Sequence, residues 1–312
     1  MSVAFLFPGQ GAQHVGMGQE LCRAHSEAAA CFEQAEAITG LPLRRLCFEG
    51  PEDDLDRTDI SQPAIFTMSV AVLRVVEMMT GDAMPAADVA AGLSLGEYTA
   101  LHAAGAINFE TGVDLVYKRG QTMQAAAEAT DGGMLCLLGA DEAVAEAVCE
   151  KAAGAGWIQP ANFNCPGQIV LSGEIAACRV AAEVADGCGA SGVMELKVAG
   201  AFHSPLMQSA ADRLAEVLAA ADIRPPAVPV LSNVKGEPHD ADADAIRRRL
   251  LDQLTHPVLW QRNCEYLLGA GVETFLEMGP GRVLAGLMRR INRRTRVTSL
   301  NGLAAVEACA NG

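Results

Sequence analysis

Short apolar runs alternate along this chain with longer segments in which apolar residues recur every three or four positions. Val3–Phe7 and Val89–Gly92 are apolar throughout, which predicts strands buried on both faces. Gly18–Glu36, Ile65–Met79 and Phe109–Ala129 have the spacing of helices. Strands that alternate with helices in this way predict an α/β fold with a mainly parallel sheet.

Three later segments extend this pattern. Glu97–Ala104 is a predicted helix, and Val228–Leu231 and Thr274–Glu277 are predicted buried strands. Prolines at Pro225-Pro226 and Pro280 separate these elements.

The middle of the chain predicts a unit of its own. Its elements are a strand Met134–Leu138, a helix Asp141–Ala153, strands Trp157–Asn164 and Gln168–Ser172, a helix Ile175–Gly187 and a strand Val193–Val198. The order β-α-β-β-α-β is that of a ferredoxin-like unit. We therefore predict a small domain at 130–199, inserted into a discontinuous large domain of residues 1–129 and 200–312, with a substrate cleft between them.

Composition narrows the classes of function. The chain has 312 residues, 50% of them hydrophobic, and a net charge of −15, which argues against a nucleic-acid partner. Its ten cysteines form no C-x-x-C pair and lack zinc spacing to histidine, as expected in a reducing compartment. Ile65–Met79 is too short, and too interrupted by Arg74 and Glu77, to predict a membrane span. The N-terminus has no basic leader, so we expect a cytoplasmic protein without a membrane partner.

Gly92-Leu-Ser-Leu-Gly96 follows a predicted strand and precedes a predicted helix. This is the G-x-S-x-G pattern of a nucleophile elbow, in which neighbouring backbone comes close enough to require glycine on either side. Ser94 is therefore a candidate nucleophile at a helix N-terminus, where free N–H groups favour an oxyanion. The alternative is an ordinary turn serine between two glycines.

A serine nucleophile needs a base, and the chain has six histidines. His203 lies in the loop that returns from the small domain to the large one, which favours it over His102 on a helix face. His14, beside the Gly9-Gln-Gly11 loop, is a second candidate, and His203 as an ordinary hydrogen-bonded loop histidine stays open. The distance from Gly11 to Gly16 is too long for a dinucleotide-binding loop, and no metal-ligand cluster is evident.

Seven motifs together resemble one family. They are Phe7-Pro-Gly-Gln-Gly-Ala-Gln13, Gly92-Leu-Ser-Leu-Gly-Glu-Tyr98, Lys118-Arg-Gly-Gln-Thr-Met-Gln124, Asn162-Phe-Asn-Cys-Pro-Gly-Gln168, Ala201-Phe-His-Ser-Pro-Leu-Met207, Gln253-Leu-Thr-His-Pro-Val258 and Glu277-Met-Gly-Pro-Gly281. In this order, from Val3 to about Ile291, they resemble the malonyl-CoA:acyl-carrier-protein transacylases. The resemblance implies an α/β-hydrolase-like large domain with a parallel sheet and an inserted ferredoxin-like small domain. It also implies transfer of a malonyl group from malonyl-CoA, through a serine ester, to the phosphopantetheine thiol of acyl carrier protein.

The resemblance assigns roles to individual residues. Ser94 matches the nucleophile, His203 the base, Arg119 the grip on the malonyl carboxylate, Gln10 and Leu95 the oxyanion-hole N–H groups, Gln253 the carbonyl that orients the histidine, and Phe202, Met123 and Asn162 the substrate pocket. Taken alone, Arg119 beside Lys118 would predict a solvated helix face. Leu93 stands where the family usually has histidine, and Phe202 favours malonyl over methylmalonyl.

The resemblance implies no metal and no cofactor, since malonyl-CoA is a substrate and the phosphopantetheine is carried by the partner. We expect the protein to be a monomer that acts in fatty acid or polyketide synthesis. The arginines Arg289, Arg290, Arg293 and Arg294 are the predicted docking site for the acidic carrier protein. The alternative is a solvated helix end, where positive charges favour the C-terminal dipole. Two other classes stay open: a serine acyl hydrolase or editing thioesterase of a polyketide pathway, and an inactive carrier-binding module.

Overall fold

The computed structural model of the protein describes residues 2–81 and 86–310, which contain ten strands and fourteen α-helices. The strands are β1 Val3–Phe7, β2 Val89–Gly92, β3 Gly132–Ala140, β4 Ile158–Cys165, β5 Gly167–Glu174, β6 Gly192–Glu195, β7 Leu231–Ser232, β8 Glu237–Pro238, β9 Thr274–Met278 and β10 Val297–Leu300. The helices are α1 Gln19–Ala24, α2 Ser26–Thr39, α3 Leu43–Glu49, α4 Glu52–Leu55, α5 Thr58–Thr80, α6 Gly96–Ala103, α7 Phe109–Glu128, α8 Glu142–Ala152, α9 Ile175–Cys188, α10 Gln208–Ala220, α11 Ala243–Thr255, α12 Trp260–Gly269, α13 Val283–Ile291 and α14 Leu303–Ala310.

The first sheet is parallel, in the order β10-β9-β1-β2. Both faces of β1 are buried: Phe5 and Phe7 belong to one apolar cluster, and Ala4 and Leu6 belong to another. A strand covered on both sides has no polar face, which is why its sequence is apolar throughout. The predicted parallel sheet is confirmed.

The second sheet is antiparallel, in the order β4-β5-β3-β6. Helices α8 and α9 pack on one face through an apolar cluster that includes Leu135, Leu137 and Leu171. Together these elements have the predicted β-α-β-β-α-β order, which is that of a ferredoxin-like unit. Domain boundaries at 130 and 199 stay a prediction.

Several predicted elements differ in the structure. The predicted helix Gly18–Glu36 is two helices, because His25 is extended (φ −131°, ψ 123°) between α1 and α2. The predicted strand Val228–Leu231 is wrong in its bounds. Within this segment only Val230 pairs with β2, through a β-bridge to Ala90, since Pro229 has no N–H to extend the pairing. The strand that follows, β7, pairs with β8 instead.

Two further bounds were wrong. β6 ends at Glu195, because the Val198 N–H turns back to the Leu196 carbonyl (2.9 Å) and the chain leaves the sheet. Helix α5 begins well before Ile65 and is, by length and composition, the single candidate membrane span among the described residues. Yet 72% of its most apolar 18-residue stretch is buried within the protein, as in the core helix of a globular domain.

The topology brings two loops together. β1 and β2 are adjacent and parallel, with Phe7 opposite Gly92 at their carboxyl ends. The loop after β1, with Gln10, and the turn after β2, with Ser94, therefore leave the sheet at the same edge. In open α/β sheets this edge is where ligands bind.

Candidate active site

The turn after β2 is a nucleophile elbow. Ser94 lies in the left-handed region (φ 51°), and α6 begins two residues later. A Cβ on Gly92 would overlap the Gly96 carbonyl group, and a Cβ on Gly96 would overlap the Phe7 carbonyl oxygen. The predicted steric need for both glycines is confirmed.

His203 completes a hydrogen-bonded chain with Ser94. Its Nε2 lies 2.8 Å from Ser94 Oγ, and its Nδ1 lies 2.6 Å from the backbone carbonyl oxygen of Gln253. A carbonyl only accepts, so Nδ1 carries the proton of the neutral ring and Nε2 accepts from the serine hydroxyl. This is the arrangement that a general base for Ser94 requires.

The pKa of His203 is lowered to about 4. Burial is the largest cause, and the positive charge of Arg119 is the second, while the hydrogen bond to Gln253 acts in the opposite direction. The imidazole is therefore neutral at physiological pH and free to accept a proton.

Arg119 is buried rather than solvated, with 1% of its surface exposed. Its Nη1 donates to Gln62 Oε1 (2.7 Å), and its Nη2 donates to Gln253 Oε1 (2.8 Å) and to Ser94 Oγ (3.1 Å). Its guanidinium carbon lies 5.5 Å from the centre of the Tyr98 ring. Burial lowers the pKa of the guanidinium. The structure thus corrects the expectation of a solvated helix face.

A cavity of about 420 Å³ opens over this group. Its lining includes the predicted site residues Gln10, Ser94, Leu95, Arg119, Met123, Asn162, Phe202 and His203, together with Leu93. Gln253 lies beneath it, fully buried. Within the described residues, the N–H groups of Gln10 and Leu95 donate to no protein acceptor, as an oxyanion hole requires.

Sequence reasoning missed a second layer of residues. Asn233 Oδ1 accepts from the Ser94 N–H (2.6 Å), and Asn233 Nδ2 donates to the Gly92 carbonyl (2.7 Å). Glu97 and His239 are buried behind it, with Glu97 Oε1 2.6 Å from His239 Nε2. Glu97 lies within the elbow motif Gly92–Tyr98. Asn233 and His239 are some 140 residues away in the chain, and no motif around them indicates a role in the site.

The other histidines are placed away from the serine. His102 Nδ1 lies 3.0 Å from the Ile107 carbonyl oxygen, and its ring packs against Phe66 and Phe109, as expected of a core histidine. His14 is not among the residues that line the cavity. In residues 2–81 and 86–310, no group of three or more His, Cys, Asp or Glu is arranged to hold a metal ion.

The chain belongs to the acyl transferase family, whose domain matches residues 4–300. It is similar to the malonyl CoA-acyl carrier protein transacylase of Bacillus subtilis (strain 168), with 42% identity over 306 residues, 98% of this chain and 95% of that protein. The structure of the malonyl CoA-acyl carrier protein transacylase of Coxiella burnetii is similar with a TM-score of 0.95 and 41% identity, covering 100% of this chain and 97% of that one. A type II PKS acyl-carrier protein in complex with its malonyl-transacylase gives a TM-score of 0.94 at 37% identity, covering 100% and 99%.

These comparisons confirm the predicted family, the α/β fold class and the class of enzyme, an acyltransferase. The roles of the individual site residues stay predictions.

Proposed function

We propose that this protein transfers a malonyl group from malonyl-CoA to the phosphopantetheine thiol of acyl carrier protein through an ester on Ser94. The relatives named above carry this activity in their names, and a solved neighbour is itself a complex of a malonyl-transacylase with an acyl-carrier protein.

The observation that carries the proposal is the environment of Arg119. The guanidinium is buried and forms no ion pair with any aspartate or glutamate of the described chain, and one of its donors lies 3.1 Å from Ser94 Oγ. A buried cation without an anion is costly, so a site of this kind favours an anionic ligand. A carboxylate on the acyl group fits, because the planar fork of arginine matches two carboxylate oxygens.

In the first half-reaction, Ser94 Oγ attacks the thioester carbonyl carbon while His203 Nε2 takes the hydroxyl proton. The N–H groups of Gln10 and Leu95 stabilise the oxyanion of the tetrahedral intermediate. The C–S bond then breaks, the CoA sulfur takes the proton from His203, and malonyl-Ser94 remains.

In the second half-reaction, His203 takes the proton of the phosphopantetheine thiol. The sulfur attacks the ester carbonyl, the bond to Ser94 Oγ breaks, and His203 returns the proton to the serine. No redox group or metal ion is needed at any step.

A serine acyl hydrolase or editing thioesterase is the alternative. Arg119 argues against it, because a hydrolase for uncharged acyl chains gains nothing from a buried cation beside its nucleophile.

Carrier-protein docking is proposed at the arginine cluster, defined as Arg289, Arg290, Arg293 and Arg294. All four are exposed, and within the described residues none forms an ion pair. Arg289, Arg290 and Arg293 line a surface cavity with Pro166. Helix α13, which contains Arg289 and Arg290, also lines the active-site cavity through Val283 and Leu287. We also propose that the protein acts as a monomer in the cytoplasm, in fatty acid or polyketide synthesis.

The experiment compares loading of the enzyme by radiolabelled malonyl-CoA and acetyl-CoA, followed by transfer to carrier protein. Arg119→Ala should lower malonyl loading about 100-fold, the effect of losing a charge-assisted pair, with a much smaller loss for acetyl. Ser94→Ala should abolish the labelled enzyme.

Lys118→Ala is the matched control. Lys118 is adjacent on α7 but half exposed and paired with Asp114, so its loss should leave malonyl loading unchanged. A malonyl-to-acetyl ratio that is unaltered in Arg119→Ala would overturn the proposed role of the arginine. A parent enzyme that releases free malonate instead of loading carrier protein would favour the hydrolase.

A further inference from the structure

The site contains a buried side-chain amide, that of Gln253, which has no role in the reaction steps above. The side-chain amide of Gln253 contacts three groups: its Oε1 accepts from Arg119 Nη2 (2.8 Å), and its Nε2 donates to the Ser94 carbonyl (3.0 Å) and to Glu97 Oε2 (2.6 Å). Both hydrogens of the amide are therefore in use. Through this one amide, the nucleophile turn and the arginine are connected.

The chemistry of the neighbours fixes which way the amide faces. Glu97 Oε2 also accepts from the Asn233 backbone N–H (3.2 Å), and a backbone N–H only donates, so this oxygen is an acceptor. The NH₂ group of Gln253 must face it. Arg119 only donates, so the amide oxygen must face the guanidinium.

Glu97 in turn is held from behind. Its Oε1 lies 2.6 Å from His239 Nε2, and both side chains are almost completely buried, with 1% and 0% exposed. Glu97 is in α6, Gln253 is in α11, Asn233 is in the turn between β7 and β8, and His239 directly follows β8. One carboxyl group thus joins three separate segments directly beneath Ser94.

We propose that Glu97, braced by His239, is a positioning residue for acyl selection. It holds the Gln253 amide so that Arg119 points its Nη2 toward Ser94, and it holds Asn233, which fixes the Ser94 N–H and the Gly92 carbonyl. This inference rests on the proposed function, since it assigns Arg119 to the acyl carboxylate.

A matched pair of variants tests it. Glu97→Met removes both acceptors. Glu97→Gln keeps a carbonyl oxygen for Asn233 and Gln253 and turns its NH₂ toward His239. His239 Nδ1 has no partner in the described chain, so the ring can move its proton to Nδ1 and accept at Nε2.

We expect Glu97→Met to lower malonyl loading about 100-fold, as a misplacement of about 1 Å at a reacting group does. Acetyl loading should fall about 10-fold or less, because acetyl does not need Arg119, so the malonyl-to-acetyl ratio should fall about 10-fold or more. In Glu97→Gln the ratio should stay within about threefold of that of the parent. A loss of folding alone would lower the amount of active enzyme and leave this ratio unchanged.

Gln253→Met tests the same connection from the other side, because it keeps the backbone carbonyl that holds His203 and removes only the amide. The ratio should fall as in Glu97→Met, and the double variant should be no worse than the more severe single one, since both break the same contact. If folded Glu97→Met or Gln253→Met keeps the parent ratio, the inference is wrong. A parent enzyme that loads no malonyl group would instead overturn the proposed function.

Discussion

Ser94 and His203 are the two non-glycine residues in the described chain with a positive φ, at 51° and 57°. Such backbone costs free energy and persists where surrounding contacts hold it in place. Here the Ser94 N–H donates to Asn233 Oδ1, and His203 Nδ1 donates to the Gln253 carbonyl oxygen. The histidine is oriented by a neutral carbonyl where many serine enzymes use a carboxylate. With no anion to stabilise the imidazolium, burial and the Arg119 charge lower the pKa of His203, and the proton it accepts is readily passed on to the leaving sulfur.

The first prediction concerns this pKa. Because the base must be neutral and its pKa is about 4, kcat/KM for malonyl loading should stay level as pH falls through 6.5 and decline only near pH 4. His203→Ala should lower the rate about 10²–10⁴-fold, the usual contribution of a general base.

The measurement is single-turnover loading between pH 4 and 8. Arg119→Gln is the control with acetyl-CoA, since removing the positive charge should move the decline toward higher pH. A decline centred near pH 6.5 in the parent enzyme would contradict the buried, neutral histidine.

At the scale of elements, the site is built from the ends of strands. Parallel pairing of β1 with β2 places the Gln10 loop beside the Ser94 turn, and α6 begins where β2 ends. The strand-turn-helix is sharp only because backbone packs directly on Gly92 and Gly96.

A second prediction follows for the elbow. Gly92→Ala should abolish malonyl loading and destabilise the protein, because the new Cβ meets the backbone of Gly96, which cannot move aside. Gly187→Ala in α9 is the matched control: nothing lies within contact of the new Cβ, so stability should be equal or higher by about 0.5–1 kcal/mol. Thermal unfolding and loading of both variants give the answer, and full loading by Gly92→Ala would refute the steric argument.

A third prediction concerns carrier-protein docking at the arginine cluster, which begins at the C-terminal end of α13. The other arginine-rich stretch, Arg247 to Arg249, is already engaged: Arg247 donates to the Leu218 and Ala221 carbonyls, and all three arginines face aspartates. The arginine cluster, which begins in the last turn of α13 and continues beyond it, has no such partners within the described residues. Arg289→Glu with Arg290→Glu should therefore raise the KM for carrier protein about tenfold or more and weaken its salt dependence, with loading from malonyl-CoA unchanged.

The control for this prediction reverses two exposed arginines elsewhere, Arg23 and Arg213. Each Arg→Glu change lowers the net charge by two, so both double variants go from −15 to −19. A KM that moves equally in both would show an effect of total charge, and a KM that moves in neither would exclude docking at the cluster.

At the scale of the whole molecule, the two sheets share a core. Met134, Cys136 and Val170, on one face of the antiparallel sheet, belong to the same apolar cluster as Phe7 of the parallel sheet. Val258, after α11, exchanges backbone hydrogen bonds with β4, donating to the Ala161 carbonyl and accepting from the Phe163 N–H. The segment that carries Gln253 is thereby joined to the smaller sheet.

A fourth prediction follows: the protein should unfold as one cooperative unit. Calorimetry should give a single transition, with the calorimetric enthalpy close to the van't Hoff enthalpy. Val170→Asp would place a charge in the shared cluster and should lower the midpoint of that transition as a whole. Two resolved transitions, only one of them moved by Val170→Asp, would show that the sheets fold independently.

The sequence by itself determined the elements whose patterns are local. β1, β2, β9 and the β-α-β-β-α-β order could be predicted because burial on both faces produces a continuous apolar run, and burial on one face produces a periodic pattern, in neighbouring residues. The elbow could be predicted because its glycines and serine lie within five positions. The bounds of β6 and β7 could not, because a strand ends where its backbone stops pairing with a neighbouring strand, here β3 for β6 and β2 for the residues before β7.

Tertiary structure alone decided the environment of the site. From its own segment Arg119 looked solvated, and it is buried because α5 packs on α7 and supplies Gln62. Asn233 and His239 contact Ser94 and Glu97 across some 140 residues of chain. Local periodicity records whether a face is buried, but it does not record which distant segment covers it, and the partners that hold the nucleophile, the base and the arginine come from such segments.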